Sequence, residues 1–84
     1  MTLPESPVTL SVEQVKELNQ KLSHMRHDIN NHLSLMIAAT ELIRHKPTTV
    51  ERMLETLNER PSKISESMAA FSKEFERLFG IQRG

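Results

Sequence analysis

His27, Asp28 and Asn31 put an imidazole, a carboxylate and a primary amide within five consecutive residues. A neutral imidazole carries a nucleophilic lone pair near physiological pH. Asp28 adjoins His27, and Asn31 follows at helical spacing on the same face. His24 lies three positions earlier. A zinc site built from His24, His27 and Asp28 would offer three ligands at best and no thiolate, so no metal is expected. The plain alternative is a solvated surface histidine. With no cysteine in the chain, disulfides, thiolate nucleophiles and thiolate metal sites are excluded.

The element that must hold these groups is a helix. Val15, Leu18, Leu22, Met25, Ile29, His32, Met36, Ala39 and Ile43 recur at alternating steps of three and four, the a/d pattern of a heptad. In that frame His27 falls at an f position, opposite the apolar seam. His32 lies on the seam and is expected to be a partly buried, hydrogen-bonded histidine.

Ser11 and Gln14 have capping-box spacing, with Leu10 and Val15 as a hydrophobic staple. Arg44, His45 and Lys46 suit the negative end of the helix dipole before Pro47 stops the helix. Thr48 and Glu51 are spaced as a second capping box, so the connection is short and the two helices antiparallel. Val50, Leu54, Leu57, Pro61, Ile64, Met68, Phe71, Phe75 and Leu78 form the second seam. It ends at Gly80, with Ile81 placed for a Schellman closure. Pro61 removes one backbone hydrogen bond, and a kink near Leu57–Pro61 within one continuous helix is expected.

The expected division is an irregular lead-in at 1–10, a hairpin at 11–80 and a tail at 81–84 that is expected to lead toward a missing C-terminal domain. Helix one is expected over about 11–45 and helix two over about 48–79. Level positions across the hairpin sum to about 93. A two-helix hairpin of 84 residues encloses no globular core. The expected fold is therefore all-α, an antiparallel hairpin that dimerises into a four-helix bundle.

Composition narrows the function. Eleven basic residues balance eleven acidic ones, and there is no Trp or Tyr, which argues against a nucleic-acid module. No apolar run reaches the roughly 20 residues needed to span a bilayer. A cytoplasmic location is expected, either free or as part of a membrane-anchored receptor, with no direct membrane contact.

His27-Asp28-Ile29-Asn30-Asn31-His32-Leu33, followed by Glu41-Leu42-Ile43, resembles the H-box of sensor histidine kinases in its HDxxN form. The resemblance spans about residues 15–80 and is to the dimerisation and histidine-phosphotransfer domain of that family. It implies that His27 is the phosphoacceptor through Nε2, and that Asp28 orients its imidazole by holding Nδ1–H. It also implies that Asn31 positions water in phosphatase action on a partner. Phosphate would come from an ATP-binding kinase domain, in cis or in trans, and pass to an aspartate of a response-regulator receiver. ATP and Mg²⁺ are implied on those partners; this chain is expected to bind no cofactor itself and to be inactive alone.

Two departures from the family stand out. Many members carry a proline five residues after the phosphoacceptor, where this chain has His32; its only helix-interior proline is Pro61, on the other helix. Glycine is limited to Gly80 and Gly84, too few for an ATP lid. The alternatives are a stand-alone histidine phosphotransfer protein and a purely structural dimerisation module.

Overall fold

The computed structural model describes residues 2–81, which form two long helices joined by a tight turn. Helix α1 spans Val12–His45 and helix α2 spans Val50–Phe79. The start of α1 follows directly from the sequence. The Ser11 hydroxyl accepts from the Gln14 amide at 3.1 Å, and the Gln14 side chain accepts from the Ser11 amide at 2.9 Å. Two amides that lack helical partners are thereby satisfied.

The turn departs from expectation. Residues Pro47–Thr49 form a 3₁₀ turn, and α2 begins at Val50 rather than at Thr48. Thr49 stands at the cap and makes no capping bond to α2. Its hydroxyl instead donates backwards to the carbonyl of Lys46 at 2.7 Å and of Leu42 at 3.4 Å. Both carbonyls also accept a backbone amide, Leu42 from Lys46 at 2.7 Å and Lys46 from Thr49 at 2.9 Å, so the hydroxyl is a second donor to each. The short connection is thus a 3₁₀ turn braced on the end of α1, and the expected second capping box does not start α2.

Helix α2 continues unbroken through Pro61. It ends on Gly80 with φ of 67°, a left-handed conformation that suits a residue without Cβ. The Ile81 amide then donates to the Glu76 carbonyl at 2.9 Å, the outer bond of a Schellman closure. Residues 82–84 of the expected tail lie outside the described residues.

Three cross-helix polar contacts fix the register: Lys21 to Glu74 at 2.7 Å, Asp28 to Ser67 at 3.5 Å and His32 to Arg60 at 3.3 Å. Each pair sums to within two of the value expected for a turn at 46–47. The seam residues Leu18, Leu22, Met25, Ile29, Met36 and Ile43 are half-buried against α2. Only Ala39 is fully buried among the described residues. Its small side chain lets the helices approach closely there.

The molecule measures 58 × 28 × 12 Å. Its least dimension equals the roughly 10–12 Å diameter of a single helix, so the hairpin is one layer thick. At 3.6 residues per turn, Lys21, Asp28, Arg60, Ser67 and Glu74 share one broad face, which also carries the exposed Leu35 and Leu42 toward the turn. Val15, Leu33 and Ile37 of α1 share the other with Leu54, Met68 and Phe75 of α2, and all six are exposed. Among the described residues, no helix is long and apolar enough to cross a membrane.

Candidate functional site

His27 stands near the middle of α1, on the edge of the slab turned away from α2, and is exposed. The heptad explains this placement: the seam residues Met25, Ile29 and His32 turn toward α2, which leaves the f position outermost. Asn31, one turn later, is also exposed, and its Nδ2 lies 3.4 Å from His27 Nε2. Among the described residues, no other hydrogen bond or ion pair reaches the His27 ring.

Asp28 lies elsewhere. One position along the helix turns its side chain by about 100° toward α2 and the polar face. Its Oδ2 accepts from the Ser67 hydroxyl at 3.5 Å and faces His24 Nε2 at 3.8 Å. The expected contact between the Asp28 carboxylate and the His27 ring is not formed. Sequence adjacency on a helix separates side chains, and the positions four apart are the ones that meet: His24 with Asp28, and His27 with Asn31.

The histidine–acid pair that forms is thus His24–Asp28, at the rim of a cleft between the helices. The cleft has a volume of about 420 Å³ and is lined by Lys21, His24, Met25, Asp28, Ser67 and Glu74, among others. Along its wall, Glu74 accepts from Lys21 at 2.7 Å and from Arg77 at 2.9 Å, while Lys21 also pairs with Glu17 at 3.2 Å. Hydrogen bonds from Lys21, then Arg77, hold the Glu74 carboxyl down at about 2, from an ordinary 4.5. The same contacts raise Lys21 and Arg77. This network ties the open end of the hairpin together alongside the Phe71–Phe75–Phe79 ladder, whose successive centroids are 6.3 Å and 4.5 Å apart.

His32 is half-buried on the seam, and its Nδ1 accepts from Arg60 Nη1 at 3.3 Å. A guanidinium only donates, so this ring nitrogen carries the lone pair. Arg60 was not singled out from the sequence. Its signal was available: a charged residue at a position level with a seam histidine. His45 pairs with Glu41 at 3.3 Å at the end of α1. No cluster of three or more His, Cys, Asp or Glu able to hold a metal occurs among the described residues. No family model, no curated protein and no solved structure matches the chain.

Proposed function

We propose that this chain is a histidine phosphoacceptor and dimerisation module of two-component signalling, with His27 as the phosphorylated residue. The observation that carries the reading is the exposure of His27 on the outer edge of a rigid helix, where a partner's active site reaches Nε2 without unfolding anything. The HDxxN pattern around it and the hairpin's dimensions agree with the family that the sequence resembles.

In the reaction, the Nε2 lone pair attacks the γ-phosphorus of ATP held by a separate kinase domain. The N–P bond forms as the bridging P–O bond breaks, and the electron pair leaves with ADP. The Nδ1 proton passes to solvent, since no carboxylate of this hairpin contacts the ring. Transfer onward breaks the N–P bond as a receiver aspartate oxygen takes the phosphoryl group. Two hairpins joined through their apolar faces would form a four-helix bundle, with a His27 on each side.

The test is to mix the chain with a separate ATP-binding domain and ATP, or with a phosphorylated receiver. Acid-labile phosphate should appear on the wild-type chain and vanish in His27→Ala. Label retained in that variant, or none on the wild type with any kinase or receiver domain supplied, defeats the phosphoacceptor reading. A second reading, a purely structural dimerisation module, draws on the exposed apolar face alone. It predicts a dimer that takes no label.

A further inference from the structure

Building on the phosphoacceptor reading of His27, we propose that Asn31 is a positioning residue that selects the reactive tautomer of this histidine. The Asn31 amide Nδ2 faces His27 Nε2 at 3.4 Å, and among the described residues no other group hydrogen-bonds or ion-pairs with the ring. A primary amide nitrogen donates hydrogen bonds and accepts none. The ring nitrogen it meets must therefore carry the lone pair, which places the imidazole proton on Nδ1.

That choice has a chemical consequence. A neutral imidazole free in water prefers its proton on the outer nitrogen, Nε2, and in that form the nitrogen best placed to meet a partner has no lone pair to offer. Opposing the preference enlarges the share of protein whose outer nitrogen is ready to act as the nucleophile. A carboxylate on Nδ1–H is one device for this. In this hairpin the adjacent carboxylate, Asp28, is turned into the interhelix cleft and occupied by Ser67 and His24. Asn31 achieves the same bias from the opposite side of the ring, by donating to Nε2.

The contact also lies along the lone pair that an incoming phosphoryl group must reach. At 3.4 Å it is long for a hydrogen bond between neutral groups, and both side chains are exposed, so it breaks easily. Asn31 therefore sets the proton's location in the resting protein and turns aside as the phosphoryl donor arrives. An amide suits both tasks because it does not titrate.

The experiment reads the tautomer directly, with no phosphoryl chemistry involved. In uniformly ¹⁵N-labelled protein at a pH where the histidines are neutral, long-range ¹H–¹⁵N spectra distinguish the protonated from the unprotonated ring nitrogen. The wild-type His27 should show Nε2 as the unprotonated nitrogen, with the Nδ1–H form in the majority. In Asn31→Ala, and in the nearly isosteric Asn31→Asp, that form should fall to the minority. Asp28→Asn should leave the His27 pattern unchanged. Identical His27 spectra in wild type and Asn31→Ala overturn the proposal, as does a shift toward Nδ1–H on removal of the amide, or a change in Asp28→Asn as large as that in Asn31→Ala. Circular dichroism establishes that each variant keeps its helices. Failure of His27 to take label would sink the phosphoacceptor reading while leaving this tautomer measurement intact.

Discussion

At the scale of single residues, Glu74 stands between two cations and accepts from both Lys21 and Arg77. Its carboxyl is held at about 2 against an ordinary 4.5, first by Lys21 and then by Arg77. A depressed carboxyl stabilises the folded hairpin above its unfolded value, and that contribution disappears as the pH falls through the folded one. The window is therefore from about 4.5 down to about 2. The Lys21 and Arg77 side chains are 40% and 61% exposed, so solvent screens the network, and the effect is modest and weakens with salt. Glu74→Gln should melt below wild type at neutral pH, with the difference closing on acidification and gone near pH 2. Thermal melts followed by circular dichroism at several pH values provide the check, and a gap that widened on acidification would reverse the assignment.

At the scale of elements, most of the seam was legible because its apolar spacing is a direct image of helical geometry. Val15, Leu54, Pro61, Met68 and Phe75, assigned to it by spacing, are nevertheless exposed in the single hairpin. The capping box at Ser11 and the left-handed Gly80 were also legible, since each is a local pattern with one physical solution. Thr49 was not, because its hydroxyl serves carbonyls of the preceding helix, and only the folded turn brings those within reach. The site divides in the same way. The exposure of His27 follows from heptad phase, whereas the engagement of Asp28 by Ser67 depends on α2 being present. The polar pair on the seam gives a test of this level. His32 accepts from Arg60, and Arg60 Nε is buried with no partner. Removing His32 alone, as His32→Leu, strands the guanidinium and should cost about 1–3 kcal/mol. Combining it with Arg60→Leu replaces both polar groups by apolar ones and should recover that loss or exceed it. Urea unfolding of the two single variants and the double variant measures the coupling; simple additivity would mean that the contact contributes nothing.

At the scale of the whole molecule, the decisive quantity is surface. The chain exposes 6624 Å², whereas a compact monomer of its 9.7 kDa mass would expose about 5,100 Å². The excess is roughly 1,500 Å² per chain, or about 3,000 Å² for two, within the range of obligate interfaces. The apolar face offers the place to bury it, and a second copy presents the same face in return. Ile37 and Leu54 lie level on that face and are 65% and 53% exposed in the single hairpin. Substituting both by Glu would cost a lone hairpin little, because surface changes rarely exceed about 0.5 kcal/mol. In the proposed dimer the same change sets four carboxylates into an apolar interface. Wild type should therefore sediment as a dimer whose helicity falls on dilution, and Ile37→Glu/Leu54→Glu should sediment as a monomer with much of its helix lost. Ala38→Glu, on the outer edge, should behave as wild type. A wild-type chain that stayed monomeric and fully helical at micromolar concentration would show that the single layer stands unaided, and the apolar face would then need another occupant.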